Sequence, residues 1–136
     1  MAIDPSNKEL FEAGLAVRRK VLGAKYVDPQ IEKAKTDAFV GTIQTMVTEY
    51  CWGGGWTNEV LDHKTRSLLN LVMLTALGKM EELKAHTRGA LVNGCTVEEI
   101  TEALRHATIY CGIPAGVNAF RSAGEALAQA KEEGLV

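Results

Sequence analysis

The stretch from Glu49 to Arg66 concentrates residue types able to do chemistry: Glu49-Tyr50-Cys51-Trp52-Gly53-Gly54-Gly55-Trp56 is followed by Asp62-His63-Lys64-Thr65-Arg66. Glycine lets backbone approach a ligand closely, and tryptophan supplies an apolar wall with one hydrogen-bond donor. Trp52 and Trp56 are therefore candidate substrate-binding residues, the alternative being a turn anchored by two aromatics. The glycines do not form a phosphate loop, because the Gly-x-x-x-x-Gly-Lys-Ser/Thr pattern is absent. Further along, Glu82 lies four residues before His86, which puts both side chains on one face of a helix. A carboxylate in that place can orient an imidazole, whose unperturbed pKa of about 6.5 suits proton transfer near neutral pH; a surface ion pair is the alternative. His86 ranks first among the three histidines because it follows Leu83 by three residues, beside an apolar stripe, whereas His63 reads as solvated and His106 as bordering a packed face. Arg66 immediately precedes a strongly apolar run. Its planar fork can clamp a substrate carboxylate through two parallel bonds, or close an internal salt bridge to Glu49 or Glu82.

The elements that must position these residues read as helices throughout. Ser6-Asn7-Lys8-Glu9 has the form of a capping box, with Ser6 as the cap, and Gly23 marks the end of the helix it opens near Leu22. Asp28-Pro29 repeats a start signal, and a long second helix is expected to run to about Tyr50, where the glycine cluster stops it. Asp62 caps a third helix through Leu77 whose second half, Leu68 to Leu77, is apolar nearly all round and so calls for burial on several sides. Gly78 separates it from a helix carrying Leu83, Thr87, Ala90 and Leu91 that ends at Asn93-Gly94. Thr96-Val97-Glu98-Glu99 is a second capping box, for a helix with Ile100, Ala103, Leu104, Ala107 and Cys111 facing inward. After Gly112, Pro114 opens a last helix to about Lys131. The expected architecture is a single all-α domain over residues 1–136 with about six helices, no strand and no internal repeat. The apolar excess of the third helix points to a homo-oligomer in which partner copies cover part of it.

Composition narrows the function. The chain has 136 residues, 46% of them hydrophobic and 24% charged, the balance of a folded globular protein. A net charge of −2 argues against a nucleic-acid partner held by its phosphates. The run from Ser67 to Gly78 is too short and too interrupted for a membrane helix. Met1-Ala2-Ile3-Asp4-Pro5 lacks a basic segment followed by an apolar one, so cytoplasmic residence is expected. Cys51, Cys95 and Cys111 form no Cys-x-x-Cys pair and read as reduced thiols acting as small hydrophobes, and no His-x-x-x-His spacing suggests a metal. No metal site is expected.

Taken in order, these segments resemble the carboxymuconolactone decarboxylase family over nearly the whole chain. The resemblance rests on Gly14 to Gly23 (GLAVRRKVLG), Thr48 to Gly53 (TEYCWG) with Trp56, Thr65 to Leu71 (TRSLLNL), Glu82 to His86, Asn93 to Ile100 (NGCTVEEI), and Tyr110 to Pro114. It implies an alkylhydroperoxidase-like helical fold in a ring-shaped trimer or hexamer, with sites near subunit contacts. It also implies an enzyme that decarboxylates a small carboxylated lactone, 4-carboxymuconolactone, to 3-oxoadipate enol-lactone in protocatechuate breakdown, the β-ketoadipate pathway, with no organic cofactor. Loss of the ring carboxylate sends electrons into the lactone carbonyl, which calls for an oxyanion donor and a proton source. By the resemblance His86 delivers the proton, Arg66 binds a carboxylate or the oxyanion, Glu49 orients His86 or shares its proton, Trp56 and Trp52 wall the substrate, and Glu82 adds a contact. Two departures matter. Lys79 and Glu82 occupy the places of the cysteine pair used by alkylhydroperoxidase relatives, which excludes their thiol chemistry. Asn58-Glu59-Val60 stands where the lactone decarboxylases commonly have Arg-Pro-Gly, removing a carboxylate contact. Alternative functions are another proton-transfer or ring-opening reaction on a small acid, or a non-catalytic oligomeric ligand binder.

Overall fold

Backbone rules and tertiary contacts share control of the helix boundaries. A computed structural model describes residues 5–136 as seven α-helices and one π-helical segment, with no strand among the described residues. The stretch Met1 to Asp4, read above for a leader, lies outside them. The chain divides into two compact units, Met1–Leu61 and Asp62–Val136.

The first unit holds α1 (Lys8–Leu22), α2 (Ala24–Thr36), α3 (Ala38–Met46) and the π-helical segment Val47–Trp56. Its opening differs from the expected capping box: Asn7, not Ser6, is the N-cap of α1, and its side-chain oxygen accepts from the Leu10 amide. The Ser6 hydroxyl instead donates to the Glu49 carboxylate. Gly23, at φ 88°, ends α1 as expected. The long second helix expected from Asp28 to Tyr50 is three pieces. α2 begins at Ala24, so Pro29 falls inside it and Asp28 is no cap; the Asp28 carboxylate accepts from Arg19 Nε at 2.6 Å. Asp37 then breaks the chain with extended torsions and caps α3, its carboxylate accepting from the Phe39 and Val40 amides. Nor do the glycines stop the run. The π-helical segment continues through Gly53-Gly54-Gly55 to Trp56 because it lies hard against α1: a Cβ on Gly14 would sit 2.2 Å from the Thr48 carbonyl oxygen, and one on Gly53 2.5 Å from that of Leu10. Close packing overrides the weak local preference against a glycine-rich helix. Buried Phe11, Leu15, Val21, Val27 and Ile31 form apolar filling in this unit.

The second unit holds α4 (His63–Leu77), α5 (Met80–Val92), α6 (Val97–Cys111) and α7 (Ile113–Glu132). Here local signals decide the ends. Asp62 accepts from the Thr65 amide to cap α4, and Gly78 closes it in the left-handed conformation at φ 69°. Thr96 and Glu99 form the complete capping box at the start of α6. Leu71, Leu83, Ile100 and Leu104 pack with Ala90, Cys95, Ala119 and Ala123 as the core, each buried leucine or isoleucine contributing about 1.5–3 kcal/mol. The hydroxyls of buried Thr75 and Thr87 donate to the Leu71 and Leu83 carbonyls, which satisfies them within their own helices.

Two burial expectations need correction. Within the protomer α4 buries Ser67, Leu71 and Thr75, with Leu68 and Leu74 packed partly against the same core, while Leu69, Met73 and Leu77 remain 46%, 51% and 68% exposed. On α6 the packed face ends at Ala107, leaving Cys111 exposed, and Cys51 is exposed as well; only Cys95 behaves as a buried hydrophobe.

Candidate active site

Each candidate residue is held by an element whose local chemistry is visible. Glu49 and the two tryptophans belong to the π-helical segment. Glu49 is buried, and its carboxylate grips the start of α1: Oε2 accepts from the Ser6 hydroxyl at 2.5 Å and Oε1 from the Asn7 amide at 3.1 Å. These bonds hold the Glu49 carboxyl below its ordinary pKa, with burial opposing them more weakly. Trp52 and Trp56, four residues apart, stack at a centroid distance of 4.7 Å with 26° between planes, and both are buried. Sequence spacing put them near each other; their stacking comes from the segment remaining helical through the glycines.

On the second unit, Arg66, Asn70 and His86 come from α4 and α5. The opening of α4 is pinned from several sides. Asp62 caps it, the Asn93 side-chain amide donates to Ser67 Oγ at 2.9 Å, and Lys64 Nζ pairs with Glu99 Oε1 at 2.8 Å. Those bonds fix the turn that carries Arg66, which is partly buried. Asn70 stands one helical turn later on the same face, and its side-chain nitrogen lies 3.4 Å from His86 Nδ1. Burial pushes the His86 pKa from 6.5 down to about 4, opposed by the field of Glu82. At pH 7 the ring is therefore neutral, where an imidazole with its ordinary pKa would be about one quarter charged. Glu82 is exposed, one turn before His86 as the spacing required.

Asn70 is the residue that sequence reasoning missed. Its signal was present as a lone amide within the apolar run Leu68 to Leu77. A separate, shallow apolar cleft of about 520 Å³ opens between α4 and α6, lined by Leu68, Leu69, Val72, Ala103 and His106 among others, and holds none of the candidate residues. Among the described residues no three His, Cys, Asp or Glu side chains gather as a metal-ligand set, and no helix is long and apolar enough to cross a membrane.

The model of the carboxymuconolactone decarboxylase family matches residues 42–125. The chain belongs to this family. Nitrosuccinic acid decarboxylase npaB of Metarhizium robertsii is 41% identical over 116 residues, covering 85% of this chain and 80% of that protein. The 4-carboxymuconolactone decarboxylase of Acinetobacter baylyi is 34% identical over 120 residues, 88% of each. An uncharacterised 15.0 kDa protein from the nqo9-nqo10 intergenic region of Paracoccus denitrificans is 33% identical over 99 residues, 71% of this chain and 74% of that one. This member of the carboxymuconolactone decarboxylase family is an enzyme of the carboxy-lyase class.

Proposed function

We propose that the chain decarboxylates a small dicarboxylic acid in which the departing carboxylate stands beside an electron-withdrawing group, with a nitrosuccinate-type acid as the first choice. The observation that carries this choice is the 41% identity to a protein named for nitrosuccinic acid; Asn58-Glu59-Val60, where lactone decarboxylases commonly carry Arg-Pro-Gly, weighs against the lactone. In such an acid the C–C bond to the carboxylate breaks, carbon dioxide leaves, and the bonding pair moves onto the nitro oxygens as a nitronate. A proton from solvent then adds at carbon and gives the 3-nitropropanoate skeleton. A lactone carbonyl conjugated to the same position would accept the pair in the same way, which makes 4-carboxymuconolactone the second reading, supported by the 34% relative. In both, the electron sink is part of the substrate, so the reaction needs no organic cofactor.

The protein has to do two things, both electrostatic. It must hold the carboxylate that stays, and it must stabilise the oxygen on which charge develops. Arg66 is suited to the first by its fork of donors on a pinned helical turn. His86, neutral at pH 7, is suited to the second as an N–H donor. Glu82 sets the field at the ring, the Trp52–Trp56 stack offers apolar surface from its own unit, and Glu49 secures the first turn of α1. The exposed stripe Leu69, Met73 and Leu77 supports a homo-oligomer, a trimer or hexamer, in which other copies cover it. The test is carbon dioxide release on mixing the protein with 2-nitrosuccinate and, separately, 4-carboxymuconolactone. Turnover faster on nitrosuccinate supports the first choice, turnover faster on the lactone replaces it with the second, and a folded protein that releases nothing from either overturns the reading.

A further inference from the structure

Asn70 and His86, sixteen residues apart in sequence, join α4 to α5 through an atom whose protonation decides what the imidazole can do. A neutral imidazole has one N–H and one bare nitrogen, and the partner of one ring atom dictates the state of the other. The Asn70 side-chain nitrogen is a donor only. Set 3.4 Å from Nδ1, it is compatible with a bare Nδ1 and opposed to a protonated one. The ring proton consequently belongs on Nε2. A carboxylate in the place of Asn70 would do the opposite, drawing the proton to Nδ1.

We propose that Asn70 is a positioning residue: by donating to His86 Nδ1 it holds the imidazole in the Nε2–H tautomer, so that His86 offers a neutral N–H to the oxygen that gains charge as carbon dioxide leaves. The inference rests on the decarboxylase reading for the identity of that oxygen, but the tautomer is a property of the protein itself. Three features of the fold suit the role. Asn70 interrupts the apolar stretch of α4, and whereas the Thr75 hydroxyl is satisfied within its own helix, the Asn70 side chain finds its partner on α5. It lies on a helix whose first turn is fixed by the Asp62 cap and by the Asn93–Ser67 bond, so its distance to α5 is set by rigid parts. Arg66 stands one turn before it, so the carboxylate clamp and the residue orienting the imidazole share one face of one helix. A neutral donor also suits the chemistry. The developing nitronate or enolate oxygen needs stabilisation only as charge reaches it, whereas an imidazolium would bind the departing carboxylate and stabilise the ground state as well.

The test combines a spectroscopic and a kinetic readout on the full chain. Two-bond 1H–15N NMR of the ring nitrogens, with His86 assigned by comparison with His86→Gln, reports the tautomer without substrate. The proposal expects a protonated Nε2 and a bare Nδ1 in the parent at pH 7. It expects Asn70→Asp to move the proton to Nδ1 or to charge the ring. Asn70→Leu, close in volume and a good helix former, serves where the acidic variant fails to fold, and it should give a tautomer mixture. Decarboxylation should fall about 100-fold in kcat in Asn70→Asp with KM little changed, the scale seen when a transition-state donor is lost. A protonated Nδ1 in the parent overturns the proposal whatever the activity, and so does an unchanged kcat in a folded variant with an altered tautomer. Absence of turnover by the parent on both substrates overturns the decarboxylase reading, and with it the oxygen assigned here, and is distinguished from a wrong tautomer by the spectrum.

Discussion

The low pKa of His86 makes the stability of the protein depend on pH between about 6.5 and 4. The imidazole titrates at about 6.5 when unfolded and at about 4 in the native chain. Because the native value is depressed, the unfolded state binds the proton more readily. The associated stability is complete above the unfolded pKa and is lost as pH falls from 6.5 toward 4. Linkage over that shift amounts to about 2 kcal/mol by pH 5 and about 3 kcal/mol below pH 4. Glu49, Asp62 and Glu99 also have lowered pKa values, but their losses fall mainly below the ordinary carboxylate range and are common to any variant that keeps them. The measurement is urea unfolding of the parent and of His86→Gln at pH 7.5 and pH 5, at one protomer concentration. The parent should lose about 2 kcal/mol more than the variant between the two conditions. Equal losses, within about 0.5 kcal/mol, would refute a partly buried, neutral His86.

Other consequences follow from single residues. Thr96→Ala removes the capping box of α6 and should cost about 1 kcal/mol in urea unfolding, with the helix content by circular dichroism unchanged. Gly14→Ala forces a methyl group to within 2.2 Å of the Thr48 carbonyl oxygen, against backbone that cannot rotate away, and should cost about 3 kcal/mol or more as a fall in melting temperature. Met73→Lys puts a charge in the middle of the exposed stripe of α4; light scattering should show a smaller assembly than the parent forms, while the protomer keeps its circular dichroism.

The parts of the fold legible in the sequence are those controlled by neighbouring residues. The Asp62 cap, the Gly78 stop and the Thr96–Glu99 box act within one helical turn, and each stands where the pattern placed it. Asp37 was legible in principle, as an acidic residue just before an apolar stretch, but was hidden inside what looked like one long helix. The π-helical segment was not legible, because Gly53-Gly54-Gly55 stays helical only by pressing against α1. Ser6 departs from the capping-box pattern for a related reason: its hydroxyl is claimed by Glu49, 43 residues away, and the cap falls to Asn7. At the candidate site, spacing set Glu82 beside His86 but could not show the burial that makes the ring neutral, nor the partner that comes from α4. Those depend on how helices pack, which periodicity describes only as faces.

In the proposed reaction carbon dioxide leaves from a carbon whose electron pair is taken up by an acceptor within the substrate and is then protonated. Turnover in deuterium oxide tests it directly, with released carbon dioxide and carbon-bound deuterium counted together, the latter by NMR at early times before solvent exchange. One deuterium per carbon dioxide is expected, placed on the carbon beside the nitro or carbonyl group, with both yields lost together in His86→Gln. Deuterium entering substrate or product without loss of carbon dioxide would contradict it and make the protein a proton-transfer enzyme of another kind.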